Sequence, residues 1–272
     1  MLYKFKQRFF LDRPIYFDVA FSYTDVQEHI FEIKNCLKIG HQDVNCAVVD
    51  VLRATTTIIS SLHNECSEIY PVISKNAAKI KARELRKKNI KKKILLAGEK
   101  DGKALEGFDL GNSPSNFERK IVGNNILIIS TSNGTKAIHA VKEQENVFLF
   151  SLANLSATAS SIMKPIMKNY NLLVVCSGRE GKYCEEDFIA SGLLIKRIIS
   201  LFNKKEYICS DSAKASILIA NFYKEDIYQA LLDCSWGKHL IKLGLKKDLE
   251  FCSRTDWSNV VPKFKNGKII VS

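Results

Sequence analysis

The chain has 272 residues, 46% of them hydrophobic and 26% charged, with a formal charge of +12 at neutral pH. That apolar content supports a sizeable core in one large α/β domain or two lobes, and excludes an intrinsically disordered chain. No apolar run approaches the roughly 18 residues of a membrane span, and residues 1–11 lack the apolar stretch and cleavage site of a signal peptide, so a cytoplasmic protein with no membrane partner is expected.

In chain order, short β-branched runs recur at 15–21, 45–50, 68–73, 93–97, 124–130, 146–150 and 171–176. Most are followed by a segment of helical spacing. After Ser74, read as an N-cap, Ala77, Ile80, Ala82 and Leu85 fall along one face, with Lys and Arg on the rest. After Glu185, Glu186 and Asp187, the apolar residues Phe188, Ile195, Ile198, Ile199 and Phe202 recur at three- and four-residue steps. The acidic triplet complements the positive end of that helix. From about Asp211 the pattern is mainly helical, closing with a short extended tail after Val260. The alternation predicts an α/β fold: a largely parallel or mixed sheet flanked by helices on both faces, with a mainly helical C-terminal part. That part either packs on the sheet or forms a small lobe.

Eight cysteines, at positions 36, 46, 66, 176, 184, 209, 234 and 252, show no Cys-x-x-Cys pair. The scatter argues against a disulfide framework or zinc site and for reduced thiols, several of them packed as small core residues. Much of the positive charge lies in Lys87, Lys88 and Lys91 to Lys93, at a helix end and in the loop after it. This fits a solvated surface with cations near a helix C-terminus. Without a recognised module or aromatics interleaved on a basic face, nucleic acid is not an expected partner. A basic protein does attract small anions.

In an open α/β sheet ligands bind beyond the carboxyl ends of the strands. Four strands run into polar or glycine-containing segments there. The first gives Asp50, Arg53, Thr55 and Thr56: a guanidinium able to fork onto phosphate or carboxylate, and donors opening a helix. A structural Asp–Arg pair with an N-cap is the plainer alternative. The second gives Gly98 and Glu99, then Asp109, Asn112 and Ser113, where hard oxygen ligands compete with a purely geometric turn. The third, Ser132, Asn133, Gly134 and Thr135, has the strand–small polar–helix arrangement that makes an anion nest of backbone N–H groups. The fourth places Gly178 and then Asp187 beyond a strand, the latter as a metal ligand or a helix cap.

Several familiar phosphate chemistries do not match. Leu52 stands where a phosphoaspartate loop would need its second Asp, Cys46 to Arg53 is one residue too long for a thiolate loop, and no Arg-His-Gly segment occurs. The five histidines are isolated and read as structural or solvent-facing. A helix terminus contributes up to about 2 kcal/mol, whereas phosphate-monoester hydrolysis needs accelerations as large as ~10²¹. A divalent ion supplies far more, and oxygen donors of this kind suit magnesium.

In this order the segments Val49 to Thr56, Gly98-Glu99, Gly107 to Pro114 and Ser132 to Thr135 resemble the 2-phosphosulfolactate phosphatase (ComB-like) family. So do Glu186 to Phe188 with Ser191-Gly192, His239 through Gly244, Asp248, and the tail from Val261-Pro262 to Asn266-Gly267. The resemblance covers roughly residues 15–270, leaving 1–13 as an N-terminal extension before a catalytic domain over 14–272. It implies magnesium-dependent hydrolysis of 2-phospho-3-sulfolactate to 3-sulfolactate and phosphate, a step of the coenzyme M biosynthesis type. The accompanying assignment gives catalysis to Asp50, Arg53 and Glu99, and the metal to Asp50, Glu99 and Asp187. Substrate binding goes to Thr55, Thr56, Asn112, Ser113, Ser132, Asn133, Gly134, Thr135 and Gly178. The expected partner is a small anionic phosphate ester, with self-association left open. The alternatives are a phosphatase of another phosphorylated hydroxy acid and a non-catalytic small-anion-binding protein.

Overall fold

A computed structural model describes residues 14–36, 43–88, 91–202, 206–223 and 226–271. The N-terminal extension at 1–13 and His41 lie outside these. The strands are β1 (Ile15–Ala20), β2 (Val44–Val49), β3 (Glu68–Pro71), β4 (Ile94–Lys100), β5 (Lys103–Ala104), β6 (Ile126–Ser130), β7 (Asn146–Phe150), β8 (Asn171–Cys176), β9 (Tyr207–Cys209), β10 (Pro262–Lys265) and β11 (Lys268–Val271). The helices are α1 (Val26–Cys36), α2 (Ala54–His63), α3 (Lys75–Lys87), α4 (Arg119–Val122), α5 (Gly134–Ala140), α6 (Leu155–Ile166), α7 (Glu185–Leu201), α8 (Asp211–Tyr223), α9 (Ile227–Asp233), α10 (Ser235–Lys242) and α11 (Lys246–Cys252). All seven β-branched runs are strands. Ser74 caps α3 as expected, its hydroxyl accepting from the Ala77 N–H at 3.1 Å.

The strands form one mixed sheet in the order β5-β4-β6-β3-β11-β10-β7-β2-β8-β1-β9. β4, β6 and β3 are mutually parallel, as are β7, β2, β8, β1 and β9. Between these halves sits the β10–β11 hairpin, antiparallel to β7 on one side and to β3 on the other. The stretch expected only as an extended tail is therefore the centre of the sheet. Three antiparallel steps separate β3 from β7, so the two parallel halves run in opposite senses.

Strand periodicity shows how the halves meet. On β2, Ala47 and Val49 join one buried cluster with residues of α6 to α11, while Cys46 and Val48 join another. Side chains alternate across a strand, so both faces of β2 are covered. On β6, Ile126 and Ile128 pack with Ala78, Ala82 and Leu85 of α3, while Leu127 and Ile129 face the same cluster as Cys46 and Val48. The halves thus look at each other across a shared layer holding Val26 and Ile30 of α1, Ile58 of α2 and Ile138 of α5. The C-terminal helices belong to the core of the larger half: Ala213, Leu231, Leu240 and Leu249 are buried with Phe17, Phe148 and Val174. At about 25 cal/mol per Å² of apolar surface, this burial is the main force closing the fold.

Seven described cysteines are free thiols, five of them buried, as their apolar surroundings required. No helix among the described residues is long and apolar enough to cross a membrane.

Candidate active site

The shared layer brings the ends of β2, β4, β6 and β8 together. Asp50 follows β2 directly. Its Oδ1 accepts the Ala54 N–H at 2.9 Å, and its Oδ2 lies against Gly134, the first residue of α5. A β-carbon at Gly134 would stand 2.5 Å from that oxygen and 2.5 Å from the Ala54 β-carbon, so only glycine permits this approach. Glu99, at the end of β4, accepts the Gly102 N–H at 2.7 Å and the Ser132 N–H at 2.8 Å, tying the β4 and β6 loops together. Asn133 Oδ1 accepts the Glu180 N–H at 3.0 Å, which brings in the loop after β8.

Asp187, in the first turn of α7, bridges two strand ends. One oxygen accepts the Val51 N–H at 2.9 Å, and the other accepts the Ser177 hydroxyl at 2.8 Å with the Ser177 and Gly178 N–H groups at 3.2 and 3.4 Å. Behind the cluster, Arg53 forms a buried ion pair with Asp248 of α11 at 2.6 Å. It also donates to the Ser113 hydroxyl at 3.2 Å and the Gly102 carbonyl at 2.9 Å. The Ser113 hydroxyl in turn donates to the same Asp248 oxygen at 2.9 Å. Trp236 of α10 closes the far side, its indole N–H donating to the Leu52 carbonyl at 2.6 Å.

Four buried carboxylates, Asp50, Glu99, Glu186 and Asp187, thus crowd one region. Burial, opposed by the Ala54 N–H and reinforced by the Glu99 charge, pushes Asp50 up to about 6. Burial raises Glu186 to about 7. Burial with the neighbouring Asp50 and Glu186 charges holds Asp187 well above the usual carboxylate range. Such a concentration of negative charge in low dielectric is uncomfortable without a cation or protons.

The structure joins the segments around Asp50, Arg53, Glu99, Ser113, Ser132, Asn133, Gly134, Gly178 and Asp187 by direct contacts. Other predicted residues are placed differently. The Thr55 hydroxyl accepts the Asp50 N–H at 3.0 Å and donates to the Asp50 carbonyl at 2.9 Å, and the Thr56 hydroxyl donates to the Val51 carbonyl at 2.9 Å. Both are fully buried and hold the loop's own shape. Thr135 exchanges hydrogen bonds with Thr131 in the same way. Asn112 is buried with its carbonyl accepting from the Thr57 hydroxyl at 3.0 Å, while its Oδ1 has no partner. Asp109 is exposed and accepts the Leu96 N–H at the edge of β4.

Two residues were not singled out for the site from sequence. Glu186 was read with its neighbours as a helix cap. Asp248 stands in the sequence only within a segment resembling the family, although it shares the apolar face of Leu245, Leu249 and Cys252, a spacing that marks a buried acid in need of a partner.

The chain matches the family model described as 2-phosphosulpholactate phosphatase over residues 33–267. It belongs to that family. Among its relatives is a protein of Caldanaerobacter subterraneus subsp. tengcongensis, 35% identical over 234 residues, covering 85% of this chain and 92% of its own. One from Clostridium acetobutylicum is 31% identical, covering 93% and 99%, and one from Clostridium kluyveri is 33% identical, covering 93% and 96%. Each is named a probable 2-phosphosulfolactate phosphatase.

For the family's fold in this chain, the donor set is entirely oxygen. Among the described residues, Asp18, His29 and Glu32 are the metal-capable trio whose ligand atoms lie mutually within 4.8 Å; Asp50, Glu99 and Asp187 do not form such a group. Three protein ligands converging on one point is therefore not the arrangement here. A hard cation held by one or two carboxylates, with water and substrate oxygens completing its shell, does fit.

Proposed function

We propose that this chain hydrolyses 2-phospho-3-sulfolactate to 3-sulfolactate and phosphate, assisted by magnesium. Membership of the family supports the reaction class. The observation that carries the site assignment is the crowding of Asp50, Glu99, Glu186 and Asp187 at converging strand ends, with Asp50 Oδ2 against the Gly134 backbone.

Asp50 and Glu99 would hold the magnesium, with Asp187 fixing the loops on which they stand. When bound, the ion neutralises phosphoryl charge and acidifies a coordinated water. Asp50 Oδ2, the oxygen not bonded to the Ala54 N–H, would be the one to accept a proton from the attacking water. Arg53 uses three of the five N–H donors of a guanidinium on Asp248, Ser113 and Gly102, so two remain for a phosphoryl oxygen. The Asp248 pair fixes its plane. The backbone of Asn133 and Gly134, beside Asp50, would offer further donors. Delivery of sulfolactate toward coenzyme M is the pathway proposal, resting on the resemblance alone.

Phosphate release from 2-phosphosulfolactate tests the reading with added magnesium, with chelator, and in Asp50→Asn. Loss in the last two is expected. Equal rates in all three would overturn it, and equal turnover of phosphorylated hydroxy acids lacking a sulfonate would overturn the substrate.

A further inference from the structure

Beside the carboxylate cluster lies a cavity of about 280 Å³ whose charged lining is Arg179 and Lys182 together with Glu180, Glu185 and Glu186, with Trp236 among the rest. Its size is just below the usual range for drug-sized ligands and suits one small organic anion or part of one. Its walls are continuous with the site. Glu186 adjoins Asp187, Trp236 is bonded to the Leu52 carbonyl beside Arg53, and the Glu180 N–H is bonded to Asn133.

The turn that carries the two cations is built to a fixed shape. Arg179 and Lys182 face each other across a two-residue turn, exchanging both backbone hydrogen bonds at 2.9 Å. The central residues, Glu180 at φ 54° and Gly181 at φ 75°, both take the left-handed conformation of a tight hairpin turn. Residues directly opposite in such a pair project to the same face. The Arg179 guanidinium lies over the Trp236 ring, 4.5 Å from its centroid, and the indole is itself held by its N–H bond to Leu52. Stacking of this kind fixes the plane of the guanidinium and leaves its edge donors available. Neither Arg179 nor Lys182 takes part in an ion pair among the described residues, whereas Arg53 does. An oriented, unpaired guanidinium and an ammonium on one face of a cavity that opens beside the reaction centre call for an anionic group.

We propose that Arg179, oriented by Trp236 and joined by Lys182, forms the subsite that holds the second anionic group of the substrate, its sulfonate or carboxylate. The inference rests on the phosphatase reading and names what that reading leaves open: how the enzyme recognises the part of the substrate that does not react. Glu180, Glu185 and Glu186, which also line the cavity, repel an anion and so confine it to the Arg179 edge. Trp236 acts through Arg179 and is a positioning residue.

The test combines turnover with direct binding. Arg179→Gln should lower kcat/KM for 2-phosphosulfolactate about ten- to a hundredfold, chiefly through KM, the loss expected for a charge-assisted hydrogen-bonded contact. Binding of 3-sulfolactate, measured by calorimetry, should weaken by a similar factor. Lys182→Gln should act in the same direction and less. Arg179→Lys, which keeps the charge and loses the planar stack, should fall between, with an unchanged melting temperature showing that the turn still folds. With 2-phospholactate, which lacks the sulfonate, an unchanged rate in Arg179→Gln assigns the sulfonate to the subsite, and an equal loss assigns the carboxylate. Wild-type turnover with no effect of Arg179→Gln on either substrate or on 3-sulfolactate binding would overturn the subsite alone. Tight 3-sulfolactate binding that needs Arg179, without phosphate release from the phosphorylated compound, would overturn the phosphatase reading and leave the subsite standing.

Discussion

Two clusters of charge, one partly and one wholly buried, stand in this molecule and are built on opposite principles. In the first, His29 of α1 lies 2.7 Å from Asp18 of β1 and 3.6 Å from Asp25, and Asp18 also accepts from Ser212 at 2.9 Å. Hydrogen bonds donated to the two aspartates push His29 up to about 10, while burial, which would raise both aspartates, is outweighed by the hydrogen bonds they accept, and both are lowered. In the second, Asp50, Glu99, Glu186 and Asp187 gather at the strand ends, and the nearby Arg53 is already paired with Asp248. The first cluster sets a cation between its two aspartates, leaving a single negative charge in excess, and ties a helix to a strand. The second accumulates charge that folding alone does not compensate. That imbalance, more than the presence of acids, separates a candidate reaction centre from a structural network.

The contrast can be broken from either side, and the largest effect is expected at Asp50. Asp50→Asn should reduce turnover by roughly 10²–10⁴-fold, the range for loss of a group that moves a proton. Its melting temperature should hold or rise in the absence of metal, because a repelled buried charge is gone. The sign follows from the raised value. A carboxyl at about 6 in the fold and 3.8 outside it favours folding below pH 3.8 and loses that advantage as pH rises through 6. A drop in melting temperature with full activity would reverse the assignment of the two clusters. Arg53→Met, which strands Asp248 in the interior, should cost about 3–5 kcal/mol in urea unfolding. Replacing both partners by apolar residues should cost less than the single change.

Gly134→Ala forces a methyl against Asp50 and Ala54, and overpacking of this kind costs about 1–3 kcal/mol. A larger fractional loss of activity than of stability would locate the damage at Asp50 Oδ2. The smallest effect belongs to the His29 cluster. His29→Gln should remove about 1–2 kcal/mol near neutral pH, with turnover unchanged. The contribution of a histidine raised from 6.5 to about 10 is complete below pH 6.5 and fades as pH passes 10. The lowered aspartates keep their part above 3.8 and lose it as acid protonates them. Unfolding curves of wild type and His29→Gln should therefore draw together at alkaline pH.

Local patterns in the sequence were enough for the seven main strands and for the existence of α3 and α7. The covered face of α3, however, is Ala78, Ala82 and Leu85, with Ile80 exposed, so the expected face of Ala77, Ile80, Ala82 and Leu85 is turned partly to solvent. The short strands β5 and β9 carry too few residues for any period. The tail was recognised as extended, and its Asn266-Gly267 turn marks a hairpin, yet nothing local reveals that it inserts between β3 and β7. At the site, the strand-end rule found Asp50, Glu99 and the Asn133 turn. It could not show that the hydroxyls of Thr55 and Thr56 bond back to their own loop, since apolar and polar neighbours look alike until the chain curls. That Asp248 holds Arg53 is beyond local reading, because the two are 195 positions apart and only the packing of α11 brings them together.

The central position of β10 and β11 bears on how the protein is made. Until residues 262–271 have left the ribosome, β3 and β7 each present an open row of backbone donors and acceptors, flanked by the apolar surfaces that will later face each other. Unpaired strand edges of this sort are where nascent chains aggregate. A version shortened before Pro262 would leave two half-sheets without a seam, and should collect in inclusion bodies however intact its reaction centre.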